Sequence, residues 1–190
     1  MKGLLIVLSG PSGVGKGTVR KILMEDKSLN LAFSISMTTR KPRVGEVEGS
    51  DYFFVSKERF EEAIKNNELL EHATFVNNSY GTPKSYVDKL RNEGKNVLLE
   101  IETNGARSVM EQSINDPLFV SIFLLPPSFE ELEKRIRGRR TEEESIVQER
   151  LGKAKKEIKL QNMYQYQVID VTPEQAAVEI SNIIKSKIKL

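Results

Sequence analysis

Short apolar runs separated by helix-like segments organise most of the chain. A continuous apolar stretch extends from Leu4 to Leu8, and similar runs return at Asn96 to Ile101, Phe119 to Leu125 and Gln167 to Ile169. Runs of this length without polar alternation are typical of strands that are buried on both faces of a parallel sheet. We therefore expect these four segments to lie in one mostly parallel sheet.

Helix-start signals lie between these runs. Thr141 opens a Thr-Glu-Glu-Glu capping box, Ser128 follows two prolines, and Thr172 precedes a proline and, three positions on, Gln175. Side chains of this kind accept hydrogen bonds from the free N–H groups of a helix's first turn. Strands that alternate with helices predict an α/β fold, in which helices flank a mostly parallel sheet in three layers.

The stretch from residue 34 to 92 does not follow this alternation. The segments Asp51 to Ser56 and Leu69 to Val76 are strand-like, but a short helix and polar loops separate them. Residues 80–83 are expected to form a turn that leads into a helix ending near Gly94. We interpret residues 34–92 as an inserted lobe that faces a substrate.

Composition and charge exclude several classes of protein. The chain has 190 residues, 38% of them hydrophobic and 29% charged, which is typical of one globular domain. A net charge of +2 does not predict a nucleic-acid-binding surface, and the absence of cysteine excludes disulfides and thiolate metal sites. The first apolar run is too short for a signal peptide or a membrane span, so we expect a cytoplasmic protein with no membrane partner.

The first apolar run leads directly into the sequence of a phosphate-binding loop. The pattern G-x4-G-K extends from Gly10 to Lys16, and helical periodicity follows it. Glycines let successive N–H groups turn towards phosphate oxygens, the helix N-terminus favours negative charge, and the lysine reaches the β- and γ-phosphates. A solvated glycine-rich turn is the alternative, which the strand before and the helix after disfavour. The predicted phosphate-binding residues are Gly10, Pro11, Ser12, Gly13, Val14, Gly15, Lys16, Gly17 and Thr18.

One position of this loop departs from the usual pattern. A Ser or Thr that holds magnesium normally follows the lysine, whereas this chain has Gly17 and then Thr18. We still expect Mg²⁺, because the metal neutralises charge on a transferred phosphoryl group. Since Mg²⁺ usually keeps several waters, Thr18 is the candidate ligand, either directly or through water.

A second set of phosphate-sized donors follows in the inserted lobe. Arg40 and Arg43 stand three positions apart around a proline, and Tyr52 and Tyr80 add hydroxyl donors. Both guanidinium forks can turn to one anion, although Arg-x-x-Arg alone would also suit a solvated basic loop. A phosphate monoester acceptor, whose second pKa is about 6, needs no general base. The single histidine, His72, is accordingly interpreted as structural or incidental.

Five motif groups occur in the order and spacing found in guanylate kinases. They are GPSGVGKGT; SMTTRKPR with GE and DYFF; NNELLEHATF with YGT; LLEIETNG; and PPSFEELEKRIRGRRTEEESI with QERL. The chain resembles this family over nearly its whole length. The resemblance implies a P-loop fold and transfer of the γ-phosphoryl group of ATP to GMP, with Mg²⁺ as cofactor and the choice between monomer and homo-oligomer left open. It also implies a core of residues 1–33, 93–126 and 160–190, a GMP-binding lobe of 34–92 and a helical lid of 127–159.

The resemblance further implies roles for single residues. The phosphate of GMP would be held by Arg40, Arg43, Tyr52 and Tyr80, and guanine by Ser36, Glu71, Thr82 and Glu102. The catalytic residues would be Lys16, Arg40, Arg135, Arg139 and Arg150. Guanine presents two adjacent donors, which an acceptor-only carboxylate can bind and which adenine lacks. This chain departs from the family pattern at Glu102 (usually Asp), Asn104 (usually Gln), Arg140 (usually Gly) and Asp170-Val171-Thr172 (usually containing Asn-Asp).

Two other classes of protein are alternatives. A guanylate-kinase-like interaction module would keep the fold but have a damaged phosphate loop, whereas Lys16 and the loop glycines are intact here. A P-loop kinase that acts on a phosphorylated sugar would have no use for base-reading residues such as Glu71 and Thr82.

Overall fold

The computed structural model describes residues 1–75, 77–138 and 143–188. Within these ranges the chain forms nine strands in two sheets and seven α-helices. The strands are β1 (Leu5–Ser9), β2 (Leu31–Phe33), β3 (Met37–Thr38), β4 (Phe53–Phe54), β5 (Leu69–Phe75), β6 (Asn78–Pro83), β7 (Asn96–Glu100), β8 (Phe119–Leu125) and β9 (Tyr166–Ile169). The helices are α1 (Lys16–Glu25), α2 (Lys57–Lys65), α3 (Lys84–Asn92), α4 (Thr103–Gln112), α5 (Phe129–Arg137), α6 (Glu144–Ile158) and α7 (Pro173–Ile188).

The central sheet has the order β2-β7-β1-β8-β9, and every neighbouring pair is parallel. The four strands that the apolar runs predict are β1, β7, β8 and β9, so the mostly parallel sheet is confirmed. Strand β2 was not predicted, because it has only three residues and all of them are half-buried. The carboxyl ends of β1 and β7 lie side by side, with Leu8 opposite Glu100. Ligands bind beyond this edge in open α/β sheets.

Two apolar cores cover the two faces of this sheet. Along β1, Ile6 and Leu8 belong to the core that contains Val19 of α1 and Ile180 of α7. The alternate residues, such as Val7, belong to the core formed with α3 and α4. Successive side chains of a strand point to opposite faces, so a continuous apolar run can fill both cores. The three-layer α/β architecture is therefore confirmed.

The second sheet lies within residues 37–83 and has the order β4-β3-β6-β5. Helix α2 covers one face, where Phe60 and Ala63 pack with Met37 and Leu69. The prediction of a turn at residues 80–83 was wrong. These residues form the end of strand β6, because their backbone pairs with β3 and β5 despite the glycine and the proline. Helix α3, which we expected inside the lobe, packs on the central sheet.

Helix ends follow the predicted capping signals where they are described. Ser128 Oγ accepts a hydrogen bond from Glu131 N at 3.1 Å, and Thr172 Oγ1 accepts one from Gln175 N at 3.2 Å. Gly94, with φ 82°, follows the end of α3. The capping box that begins at Thr141 lies outside the described residues. No helix in the described ranges is long and apolar enough to cross a membrane.

Candidate active site

The loop between β1 and α1 has the backbone that its glycines predict. Gly13 and Gly15 have φ values of 86° and 120°, in the left-handed region that favours glycine. A Cβ at Gly13 would lie 2.7 Å from Ile136 Cγ1, and one at Gly15 would lie 2.6 Å from Asp170 Oδ2. The loop is therefore pressed against α5 and the end of β9. No side chain caps α1 at Gly15, and Gly15, Lys16 and Gly17 line the cleft, so the first turn of this helix can offer N–H groups to an anion.

Lys16 supplies the cation of this loop. Its Nζ donates to Gly10 O at 2.6 Å and to Pro11 O at 3.2 Å. Burial lowers the pKa of Lys16, and the negative charges of nearby carboxylates, chiefly Glu157 and Glu100, oppose that shift. The ammonium group is thus held inside the loop, beside a cleft of 560 Å³.

Two of the three predicted lid arginines contact the loop. Arg135 donates from Nη1 to Val14 O at 2.8 Å and to Asp170 Oδ2 at 3.0 Å, and from Nη2 to Asp170 O at 3.0 Å. Arg150 Nη2 lies 3.4 Å from Ser12 Oγ. Arg139 lies outside the described residues, as does Arg140. Arg135 thus ties α5 to the loop and to the end of β9, and a direct contact of these arginines with ATP stays a prediction.

A lid carboxylate that sequence reasoning missed also lies on the loop. Glu157 Oε2 accepts a hydrogen bond from Ser12 N at 3.1 Å, and the Glu157 side chain is only 7% exposed. Glu157 stands seven positions after Arg150 on α6, which places both on one helix face. That spacing was the available signal, but nothing local in the sequence shows that this face meets the loop.

The face of the second sheet opposite α2 carries several of the predicted GMP-binding residues. Met37 pairs with Phe53 and Gly81, which share the α2 side. Each of these three residues has a polar neighbour in the chain, namely Ser36, Tyr52 and Thr82. Because successive side chains along a strand point to opposite faces, these polar side chains lie on the face away from α2. Tyr80 lies two positions before Thr82 and shares this face, with its ring 6.0 Å from that of Tyr52.

Glu71 is a half-buried carboxylate on this face. Thr82 Oγ1 donates to Glu71 Oε1 at 2.6 Å. Burial raises the pKa of Glu71; the hydrogen bond from Thr82 lowers it, and the charge of Glu102 raises it. A Cβ at Gly105, in the first turn of α4, would lie 2.7 Å from Glu71 Oε2. Glycine at that position therefore leaves room for the second carboxylate oxygen.

Arg40 and Arg43 are organised by a common carboxylate. Glu46 Oε1 accepts from Arg40 Nη2 at 2.7 Å, and Glu46 Oε2 accepts from the backbone N–H of Arg43 at 2.7 Å. The hydrogen bond to Glu46 raises the pKa of Arg40. The Arg40 guanidinium carbon is 5.3 Å from the centre of the Tyr52 ring. The structure thus brings Arg40, Tyr52 and Tyr80 together, while Arg43 is exposed at the rim.

Glu100 and Arg20 lie between the phosphate loop and the second sheet's polar face. Glu100 Oε2 is 3.0 Å from Arg20 Nε. Both residues line the 560 Å³ cleft at the phosphate loop and also an adjoining cavity of 440 Å³ that contains Ser36 and Tyr52. Sequence reasoning missed both, although a glutamate that ends a buried parallel strand lies at the edge where ligands bind.

The oxygen donors of the cleft fit a magnesium ion that keeps most of its water. Thr18 is exposed in the first turn of α1 and lines the cleft together with Glu100. Among the described residues, no group of three or more Asp, Glu, His or Cys side chains could enclose a metal. Mg²⁺ prefers such hydroxyl and carboxylate oxygens and is commonly held by one or two of them together with substrate phosphates.

Comparison with known proteins agrees with this geometry. The family model described as guanylate kinase matches residues 2–187. A guanylate kinase of Mesoplasma florum is 54% identical over 96% of the chain, which spans 61% of that relative's length. A guanylate kinase of Lactobacillus johnsonii is 50% identical over 98% of the chain and 90% of its own length.

A solved structure shows the same likeness in three dimensions. The crystal structure of guanylate kinase from Anaplasma phagocytophilum superimposes with a TM-score of 0.73 at 36% identity, covering 98% of this chain and 86% of that one. The family match extends over the phosphate loop, the second sheet and the lid helices alike. On its sequence and its fold, the chain belongs to the guanylate kinase family.

Proposed function

We propose that this protein transfers the γ-phosphoryl group of ATP to GMP, which yields ADP and GDP. One observation supports this most strongly: two sites suited to phosphate adjoin two neighbouring cavities that share Arg20 and Glu100. The phosphate loop with Lys16 forms one site, and Arg40 with Tyr52 and Tyr80 forms the other. Glu100 lines the cavities on both sides and so stands between them.

Positioning and charge stabilisation account for the chemistry of this transfer. A phosphate oxygen of GMP forms the new bond to the γ-phosphorus, the bond from that phosphorus to the β–γ bridging oxygen breaks, and ADP leaves with the electron pair. The acceptor oxygen is anionic near neutral pH, so no general base is needed. Lys16 and the lid arginines stabilise charge on the moving group, because fixed cations in a closed site act without reorganisation.

The residues on the ATP side of the site fit a magnesium ion. Thr18, directly or through water, and Glu100 are the residues that would hold it, together with the phosphates of ATP. When bound, the metal neutralises charge on the phosphates. The N–H groups of the phosphate loop orient ATP, and Arg40 orients the acceptor GMP.

Recognition of guanine would depend on the half-buried carboxylate of Glu71. Thr82 fixes one of its oxygens, which leaves the other to accept from the base. Guanine supplies adjacent N–H and amino donors, whereas adenine does not. A buried acceptor left unpaired is costly, so AMP would be rejected. Ser36 and Glu102 would complete the base site.

The direct test is a coupled assay of ADP formation with ATP, Mg²⁺ and a panel of acceptors. We expect turnover with GMP and at least 10³-fold lower kcat/KM with AMP, CMP and UMP, because only guanine satisfies Glu71. Comparable turnover of another nucleotide, or of a sugar phosphate with no base, would contradict the proposal. The cytoplasmic location stays a prediction that this assay does not address.

The two sets of arginines are expected to act on different substrates. Arg40→Ala and Arg43→Ala should raise the KM for GMP at least tenfold with a small effect on the KM for ATP, because each removes a charge-assisted contact to the acceptor phosphate. Arg150→Ala should act on kcat and on the KM for ATP, because Arg150 lies against Ser12 of the phosphate loop. Steady-state constants for both substrates decide between these patterns.

A matched control for these variants lies in the same lobe. Arg59 on α2 pairs with Glu62 and Glu68, away from the cleft, so Arg59→Ala makes the same charge change without touching a substrate. We expect its kinetic constants to stay within twofold of wild type. An Arg43→Ala protein whose KM rose only for ATP would show that the two sets are assigned to the wrong substrates.

A further inference from the structure

Lys153 on α6 lies between carboxylates that belong to the two halves of the site. Its Nζ is 2.9 Å from Glu102 Oε2 and 3.8 Å from Glu157 Oε1. Glu157 accepts a hydrogen bond from Ser12 N of the phosphate loop. Glu102 is the residue just before α4, and its charge acts on Glu71. Lys153 is thus a lid cation at the junction of the donor and acceptor sites, and no step of the proposed reaction has used it.

The Glu102 side chain lines the phosphate-loop cleft and contacts α6 through Lys153. It stands at the residue before α4 but does not cap that helix, and instead it reaches Lys153, 51 positions further along the chain. The Glu102 side chain is 63% exposed. Its charge also acts on Glu71, so the two carboxylates lie near enough to repel each other. The ion pair with Lys153 offsets this repulsion.

We propose that Lys153 is a positioning residue that competes with guanine for the Glu102 carboxylate and thereby lowers the affinity of the acceptor site for GMP. The inference rests on the proposed function, in which Glu102 contributes to the base site. Guanine must displace Lys153 to donate to Glu102. Adenine has no donor pair to offer, so binding of AMP leaves the ion pair intact.

The departure from aspartate to glutamate at this position suits that role. The additional methylene of Glu102 lengthens the side chain, and the carboxylate can reach across the cleft to α6 as well as turn towards the base. An ion pair of this exposure changes an equilibrium constant by about 1.5- to 5-fold. Guanine therefore displaces Lys153 at a modest loss of affinity, and the lid contact re-forms when the base leaves.

The test is calorimetric titration of the wild-type protein and of Lys153→Met with GMP and with AMP. Lys153→Met should bind GMP about two- to fivefold more tightly, because guanine no longer competes with the ammonium group. The Kd for AMP should not change. AMP has the same phosphate as GMP, so it controls for the loss of positive charge near that group.

Three further variants separate this role from a general effect of charge or structure. Lys156→Met removes an exposed lysine from the same helix and should bind GMP as wild type does. Lys153→Arg keeps a cation and should restore the wild-type Kd. In a Glu102→Gln background, which lacks the ion pair, Lys153→Met should have no effect on the Kd for GMP.

Each other outcome would overturn the inference. Weaker GMP binding by Lys153→Met would show that Lys153 contacts the substrate itself, and an unchanged Kd would show that the ion pair does not compete. A tighter Kd that persists in the Glu102→Gln background would exclude action through Glu102. Failure of the wild-type protein to bind or turn over GMP would instead refute the proposed function, and the turnover assay detects that separately.

Discussion

Replacement of Lys16 by alanine is expected to lower kcat at least a hundredfold and leave the fold intact. The Lys16 ammonium is held in the phosphate loop by two backbone carbonyls, next to the cleft where the moving phosphoryl group would lie. Removal of one fixed group that stabilises transition-state charge costs about 10²- to 10³-fold in kcat. The side chain contributes to neither apolar core, so the melting temperature should change little.

The measurement is kcat for ATP and GMP, with thermal unfolding followed by circular dichroism. Lys27→Ala is the matched control, since it removes an exposed lysine just after α1 and should have wild-type kinetics. If Lys16→Ala kept more than about a tenth of wild-type kcat, Lys16 would not be the cation of a phosphate-transfer site.

Glu71→Gln is expected to lower kcat/KM for GMP about a hundredfold without destabilising the protein. The amide keeps an oxygen that can accept from Thr82, but it presents an NH₂ group to the donor groups of guanine. Loss of a charge-assisted hydrogen bond, together with a donor facing a donor, accounts for an effect of this size. Glu71→Gln should therefore lower kcat/KM for GMP without lowering the stability of the protein.

Stability follows from the direction of the pKa shift. Burial raises the pKa of Glu71, so the folded protein disfavours the ionised form relative to the unfolded chain. Ionisation of this group therefore costs stability as the pH rises above its unfolded pKa, and the neutral amide avoids that cost. The melting temperature of Glu71→Gln at pH 7 should equal or exceed that of wild type.

Kinetics with GMP and AMP and a melting curve test this prediction. Glu61→Gln makes the same chemical change at an exposed site on α2 and should match wild type in both measurements. Retention of more than a third of the wild-type kcat/KM for GMP by Glu71→Gln would exclude Glu71 as a base-reading residue. A lower melting temperature would show that its carboxylate is a net stabilising group.

Local sequence was sufficient for the central sheet and for the phosphate loop. Continuous apolar runs predicted four of its strands, because a strand buried on both faces needs apolar residues at every position. Glycine spacing predicted the loop, because its left-handed backbone at Gly13 and Gly15 excludes other residues. The strand β2 escaped prediction, since three residues show no period.

The resemblance to a family identified most of the candidate site, but the register of the second sheet decided how those residues meet. Ser36, Tyr52 and Thr82 lie far apart along the chain and share one face only because β3 pairs with β4 and β6 in this alignment. A shift of one residue would turn each of them into the α2 core.

Only the tertiary structure decided which charges meet across the cleft. Glu157 contacts Ser12 across 145 positions, Arg135 contacts Asp170 across 35, and Lys153 contacts Glu102 across 51. Sequence periodicity shows which face of a helix is polar, but it does not show what lies opposite that face. The packing of α5 and α6 over the phosphate loop supplies those partners, because it brings Arg135, Arg150 and Glu157 within hydrogen-bond distance of the loop.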